Sequence, residues 1–232
     1  MPKNNYQHIF FDFDRTLWDF EKNSETALSK LYEIYDLENK LKVDFHSFLL
    51  SYKIQNDFLW KDYRLGLVEK DELRQARFNN TFKKFGFEDK TLALEFNDDY
   101  VIHASSQTHL IPGAREILDY LFPKYQLHII TNGFVEAQET KLDACGLRKY
   151  FKQIIISDGL GFKKPDQRIF NHAMKLANAS ASNSLMIGDD YEPDVLGAKS
   201  VGMDQVYFEW IKVEDNQANF TINSLLELKE IL

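Results

Sequence analysis

Phe10-Phe11-Asp12-Phe13-Asp14-Arg15-Thr16, close to the start of a 232-residue chain, is the stretch whose reading decides the fold. An apolar run, Ile9 to Phe11, meets two carboxylates at alternate positions and then a hydroxyl residue. A run that apolar, bounded by polar residues, reads as a strand buried on both faces. Alternate residues of a strand project to one side, so extended geometry would bring Asp12 and Asp14 together at the strand's carboxyl end. Two acids held that close repel and need a cation, a shared proton or open water. A solvated Asp-rich turn would give the same seven letters. The choice turns on whether later segments carry the missing positive charge.

Downstream of Leu17 the pattern changes. From about Asn23 to His109 the spacing is helical, with no convincing strand and no proline. Ser24 reads as the N-cap of a helix burying Ala27, Leu28, Leu31 and Ile34. Phe45, Phe48, Leu49 and Tyr52 begin a second helix that runs through Phe58, Leu59 and Tyr63 to a stop at Gly66. Asp71 would cap a third, with Leu73, Phe78 and Phe82, ending at Gly86. A fourth, carrying Leu92, Phe96 and Tyr100, runs toward Ser105. A block of about four helices between two stretches of alternating structure reads as an inserted domain.

From Pro112-Gly113 strands and helices alternate. Strands are expected at Leu127 to Thr131, Gln153 to Ser157, Leu185 to Gly188 and Gln205 to Phe208. Helices are expected from Ala114, after Asn132-Gly133, around Ile169 to Ala177 and from Asp194 to Val201, with a last one capped by Ser224. Such alternation predicts an α/β protein with a mainly parallel sheet and helices on both faces. Ligands of such sheets bind beyond the carboxyl ends of the strands. Four strand ends carry polar groups here: Asp12 and Asp14, Thr131, Lys163-Lys164 just after the third strand, and Asp189-Asp190.

Together these groups form a chemical inventory. Thr131-Asn132-Gly133 leaves a strand and enters a helix, where a hydroxyl, an amide and free backbone N–H groups can bind phosphate. Lys163-Lys164-Pro165 supplies positive charge, of which Lys163 reads equally well as a solvated surface residue. After Ile187-Gly188 come Asp189, Asp190 and Asp194; for Asp194, following Pro193, helix capping and function stand level. Carboxylates from two strand ends suit a hard cation with oxygen ligands, and Mg²⁺ is the ordinary choice beside phosphate. A carboxylate can accept a phosphoryl group once metal and lysine neutralise the repulsion. A neighbouring acid can protonate the leaving oxygen and then deprotonate the water that cleaves the acyl-phosphate.

Composition narrows the classes. Hydrophobic content of 44% and charged content of 28% suit an ordinary globular protein with a sizeable core. No apolar stretch approaches the roughly 18–20 residues of a membrane helix, and the polar Met1 to Asn5 shows no signal peptide. Cys145 is the one cysteine, which excludes an internal disulfide and fits a reducing, cytoplasmic setting. A net charge of −8 argues against polymeric nucleic acid but not against a small phosphorylated substrate. Gly-x-Gly-x-x-Gly is missing after the first strand, against a dinucleotide-dependent dehydrogenase. The six histidines show no paired helical spacing suited to zinc, and structural roles are expected for each.

At this point the sequence resembles a known family. Asp12-x-Asp14-x-Thr16, Thr131, Lys164-Pro165-Asp166 and Gly188-Asp189-Asp190-x-x-x-Asp194 look like the four ordered motifs of the haloacid dehalogenase superfamily. The resemblance implies a Rossmann-like core, residues 1–17 and 109–232, with an α-helical C1-type cap over 18–108. It implies Asp12 as the nucleophile forming an aspartyl-phosphate. Asp14 would be the general acid/base and would ligate Mg²⁺ through its backbone carbonyl. Thr131 and Lys164, with Asn132 and Gly133 beside them, would hold the phosphoryl group. Asp189 would ligate Mg²⁺, with Asp190 or Asp194 supporting the metal directly or through water. Arg15 departs from the superfamily's usual glycine, which puts the turn geometry there in question. Dehalogenases of the superfamily lack the acid at the position of Asp14, so phosphate chemistry is implied.

For the substrate, cap aromatics such as Phe45, Tyr52, Phe58, Trp60, Tyr63 and Phe82 could stack a nucleobase, although core packing is the commoner role for each. Leu59-Trp60-Lys61-Asp62-Tyr63, Arg77-Phe78, Ile130-Thr131-Asn132-Gly133-Phe134 and Ser224-Leu225-Leu226-Glu227-Leu228 resemble the branch of 5′-nucleotidases acting on pyrimidine and non-standard nucleoside monophosphates. The expected function is a Mg²⁺-dependent nucleoside monophosphate phosphatase. A phosphosugar phosphatase or phosphomutase with the same core is the alternative.

Overall fold

The computed structural model of the chain describes residues 5–232. Two compact units emerge: one runs to Phe20 and resumes over Thr108–Leu232, and the other is Glu21–Gln107. The first unit extends past Leu17 because Trp18 bridges to both Asp14 and Leu110 and the Asp19 N–H donates to the His109 carbonyl at 3.1 Å.

In the first unit, β1 (His8–Phe11), β2 (Gln126–Thr131), β3 (Phe151–Ile156), β4 (Ser184–Gly188), β5 (Asp204–Phe208) and β6 (Phe220–Ile222) form one sheet in the order β3-β2-β1-β4-β5-β6. Every neighbouring pair is parallel. The α/β reading of the sequence therefore holds. All four residues of β1 are buried, as the apolar run requires. Ile9 and Phe11 enter one apolar cluster with Leu118, Leu121 and Leu142, while Phe10 enters another with Ile169, Phe170 and Met203. Alternation along one strand thus feeds two cores, one on each face. The chain winds outward from β1 to β3, then returns to β4 on the other side of β1. This is the switch point at which parallel sheets open a crevice, and Asp12 and Asp189 leave the strands that border it.

Helices α6 (Ala114–Leu121), α7 (Val135–Ala144) and α8 (Gln167–Ala177) lie where the apolar spacing puts them. Others differ. The helix expected from Asp194 to Val201 begins earlier, as a π-helical turn over Tyr191–Leu196, and only Gly197–Lys199 is α-helical. β6 was not foreseen, being three residues in a polar context.

The second unit is helical: α1 (Phe20–Ile34, beginning in the first unit), α2 (Leu37–Leu41), α3 (Phe45–Arg64), α4 (Lys70–Lys83) and α5 (Lys90–Ser105). Phe48, Phe78, Phe82 and Phe96 pack at its centre. Ser24 is not a cap. It lies inside α1, buried, with its hydroxyl 2.7 Å from the Tyr100 hydroxyl. The start of α4 is fixed by a reciprocal capping box between Glu69 and Glu72 rather than by Asp71. The short α2 escaped the sequence reading because five residues are too few to show a period. No described helix is long and apolar enough to cross a membrane.

Inside the sheet, His8 Nδ1 and His128 Nε2 stand 3.1 Å apart, and His128 stacks on Phe10 at 4.6 Å. Burial, followed by the neighbouring His8 and Lys152, holds His128 down to about 4. Burial and then Lys152 lower His8 as well. Both rings are neutral in the fold and protonate more readily when unfolded, where the pKa is about 6.5. The His128 contribution to stability is therefore complete above that value and is lost as pH falls toward 4, and His8 adds to it in the same direction. We expect the melting temperature to drop between pH 7 and pH 5, and His128→Gln to flatten part of that drop in parallel thermal melts.

Candidate active site

Lys164 sits in the loop between β3 and α8, and its position is set from the end of β2. The Asn132 side chain donates to the Lys164 carbonyl at 2.9 Å and accepts from its N–H at 2.8 Å. This clamp aims the ammonium inward. Lys164 Nζ donates to Asp12 Oδ1 and to Asp194 Oδ1, each at 2.6 Å, and all three residues are buried. Asp194 is further tied through Oδ2, which accepts from the Asp190 N–H at 3.0 Å. The adjoining position must be Gly188, because any Cβ there would collide with the Asp194 carboxylate. Asp189 accepts at Oδ1 from the Thr16 hydroxyl at 2.9 Å. Oxygens of Asp12, Asp189 and Asp194, one from each, lie within 4.8 Å of one another.

Two carboxylates share one ammonium and a third, that of Asp189, lies beside them, which leaves the group short of positive charge. Burial pushes the Asp12 carboxyl up to about 7; Lys164 opposes the rise, and Asp194 adds to it. Asp189 is driven well above the ordinary carboxylate range, by burial first and then by Asp12 and Asp194. Asp194 is raised by burial against the pull of Lys164. For Lys164, burial alone would favour the neutral amine, but Asp12 and Asp194 outweigh it and hold the ammonium form. A set of oxygen donors with a charge deficit fits a hard divalent cation such as Mg²⁺. Asp194 already spends both oxygens on protein donors, whereas Asp12 and Asp189 each keep one oxygen outside the bonds just described.

Asp12 and Asp14 do not share a counter-ion, although both leave the same strand end. Regular pairing stops at Phe11; the Phe13 carbonyl then accepts from both Leu17 and Trp18 N–H groups, each at 2.9 Å, and the chain turns. The Asp14 carboxylate consequently has its own donors on α7: Lys141 Nζ reaches Oδ1 at 2.6 Å and Gln138 Nε2 reaches Oδ2 at 2.6 Å. Neither Gln138 nor Lys141 was singled out from the sequence. They sit three apart on one face of a helix that starts at a ligand-binding strand end, a signal that was present and unused.

Arg15 resolves the question its side chain raised. It adopts φ 63°, the left-handed region that glycine normally fills. The turn is held from outside: the Arg15 N–H donates to the Trp18 carbonyl at 2.8 Å, the Trp210 indole donates to the Arg15 carbonyl at 2.9 Å, and the guanidinium lies 4.6 Å from the centre of the Phe20 ring. Thr131 is buried at the end of β2, and its Oγ1 accepts from the Gly133 N–H at 3.2 Å. The Asn132 amide holds the Lys164 backbone through one N–H and its oxygen. Asp190 stands beside the acidic group through its backbone, while Asp194 enters it with its carboxylate. Asp166 caps α8, accepting from the Arg168 N–H at 2.8 Å. Of the cap aromatics, Tyr52, Tyr63 and Phe82 are buried, Phe45 packs half-buried against the helical core, and Trp60 lies edge-on to Tyr63 at 5.6 Å. Phe58 is 62% exposed. Cys145 is buried at the end of α7 and is in no disulfide.

The chain resembles known proteins along nearly its whole length. The chain is 31% identical over 232 residues to the pyrimidine 5′-nucleotidase PynA of Streptococcus pneumoniae, covering 98% of this chain and 95% of that protein. It is 31% identical over 239 residues to the glyceraldehyde 3-phosphate phosphatase of Pyrococcus furiosus, covering 97% and 92%. Among solved structures, the HAD-hydrolase YfnB of Bacillus subtilis bound to magnesium superposes with a TM-score of 0.89 at 29% identity, covering 98% of this chain and 99% of that one. Residues 6–202 match the profile of the haloacid dehalogenase-like hydrolases, and the chain belongs to that family.

Proposed function

We propose that the protein is a Mg²⁺-dependent phosphomonoesterase working through an aspartyl-phosphate, and that its substrates are nucleoside monophosphates. The observation that carries this reading is the buried Asp12–Lys164–Asp194 ion triad, with Asp189 beside it and Asp14 held on separate donors. Asp12 presents a carboxylate whose second oxygen is not committed to the lysine, as a nucleophile requires. Lys164 neutralises Asp12 and offers positive charge to the transferring phosphoryl oxygens. The residues that would hold Mg²⁺ are Asp12 and Asp189, with the Asp14 backbone carbonyl, while Asp194 supports them through Lys164 and ordered water. When bound, Mg²⁺ would supply charge neutralisation for the phosphoryl oxygens at the moment of attack.

In the first half-reaction an Asp12 oxygen forms a bond to phosphorus as the ester P–O bond breaks, and Asp14 gives its proton to the departing alcohol oxygen. In the second, Asp14 takes a proton from water as the water oxygen bonds to phosphorus and the Asp12–phosphorus bond breaks, releasing phosphate. Thr131 holds a phosphoryl oxygen through its hydroxyl. We assign this chemistry to a core of residues 1–17 and 109–232 and substrate selection to a cap of residues 18–108. The likeness to PynA across nearly the whole chain favours a nucleotide substrate. The likeness to an archaeal glyceraldehyde 3-phosphate phosphatase supports phosphosugars as the second reading.

Three outcomes test the proposal. Asp12→Asn, which keeps the side chain's shape, should lower phosphate release at least ~10³-fold while the thermal melt stays cooperative; near wild-type turnover would exclude Asp12 as nucleophile. Chelation of divalent metal should stop turnover and added Mg²⁺ restore it, so full activity in chelator would contradict the metal role. In a panel assayed for free phosphate with Mg²⁺, pyrimidine nucleoside monophosphates should show higher kcat/KM than glyceraldehyde 3-phosphate or hexose phosphates. The reverse order would move the protein to the phosphosugar class.

A further inference from the structure

Gln138 is completely buried, yet its side chain is polar and its amide nitrogen serves two residues at once. Nε2 donates to Asp14 Oδ2 at 2.6 Å and to Thr131 Oγ1 at 2.8 Å. An amide nitrogen has two hydrogens, so one group ties the end of β1 to the end of β2. Thr131 Oγ1 also accepts from the Gly133 N–H. With two donors directed at its oxygen, the Thr131 hydroxyl keeps its own hydrogen to give to a third atom. The space for Gln138 is reserved by Gly133, since a Cβ at that position would collide with the Gln138 amide.

One helical turn further, Lys141 completes the set. Its Nζ donates to Asp14 Oδ1 at 2.6 Å and stands 4.2 Å from the centre of the Trp18 ring, with the side chain 10% exposed. Trp18 in turn bridges back to Asp14 through the backbone. A buried lysine and a buried glutamine are costly to desolvate, and here they meet on one carboxylate. Each oxygen of Asp14 therefore has its own donor, fixed to a helix rather than to a loop.

We propose that Gln138 and Lys141 are positioning residues for the reaction: they orient Asp14 toward the leaving-group oxygen, and Gln138 turns the Thr131 hydroxyl into a donor for a phosphoryl oxygen. The proposal rests on the phosphatase reading above and extends it from the residues of the family motifs to a pair outside them. Its covalent content is one proton, which moves from Asp14 to the ester oxygen as the P–O bond breaks. A misplacement of about 1 Å can cost on the order of 10²-fold in such a transfer.

The leaving group separates this role from a structural one. A nucleoside alkoxide needs that proton, whereas p-nitrophenolate departs without it, and kcat/KM reports the phosphoryl-transfer half alone. Gln138→Glu and Gln138→Leu, together with Lys141→Met and Lys141→Arg, should be assayed on a pyrimidine nucleoside monophosphate and on p-nitrophenyl phosphate. We expect kcat/KM for the nucleotide to fall ~10- to 100-fold in Gln138→Glu, Gln138→Leu and Lys141→Met. For p-nitrophenyl phosphate the fall should be several-fold smaller, and Lys141→Arg should recover most of the nucleotide activity. Equal losses on both substrates, or no loss on either, would overturn the assignment. Should Gln138→Leu fail to fold, the near-isosteric Gln138→Glu decides. Wild-type protein inactive on both phosphate esters would instead sink the phosphatase reading, a result distinct from uniform losses in active variants.

Discussion

A single ammonium group, Lys164 Nζ, lies between Asp12 and Asp194 in the interior, and the arrangement of the other strand ends follows from that triad. Removing the lysine would leave two buried carboxylates without their counter-charge, a loss of roughly 3–5 kcal/mol. Its members come from three separate crossovers of the sheet: Asp12 ends β1, Lys164 follows β3, and Asp194 lies in the π-helical turn after β4. A fourth, the end of β2, contributes Asn132 to hold the lysine backbone. No two of these are neighbours in sequence. The parallel sheet brings them together because every crossover returns the chain to the same edge.

The triad is also unbalanced, and this imbalance is what gives it chemical use. Two acids share the lysine and a third, Asp189, lies close to both, so the group carries more negative than positive charge, and the carboxyls of all three acids are pushed up. Such a group has a demand for a hard cation built into it. A few ångströms along the chain, Asp14 is treated in the opposite way. It has a private lysine and a private amide, both on α7. Two acids two residues apart thus have separate partners: Asp12 shares its lysine with Asp194, and Asp14 has donors of its own.

Tight local turns make this division possible. Arg15 takes a left-handed conformation at a cost of roughly 1–2 kcal/mol, offset by hydrogen bonds from the Trp210 indole and to the Trp18 carbonyl. Gly133 and Gly188 work differently, since neither is there for a positive φ. Each leaves the volume of a missing Cβ to a side chain that must come close, Gln138 in one case and the Asp194 carboxylate in the other. Small residues next to the strand ends are therefore packing partners of the polar groups as well as parts of turns.

The sequence by itself determined the elements and the charged inventory. Apolar runs of four to six residues marked β1, β2 and β4, helical spacing marked α3, α6 and α8, and acids, hydroxyl and lysine at strand ends marked the site, because burial and periodicity are local properties of a chain. Short elements without a period, α2 and β6, were not visible, and the starts of α1 and α4 shifted because competing cap residues lie within a few positions of one another. Tertiary structure alone decided how charges were paired. Lys141 and Gln138 gain their partner only when α7 is brought to Asp14, and Asn132 gains its bonds to Lys164 only when the loop after β3 reaches it. Hydrogen-bond partners more than a hundred residues apart are chosen by the geometry of the sheet, and that geometry is written in no single stretch of sequence.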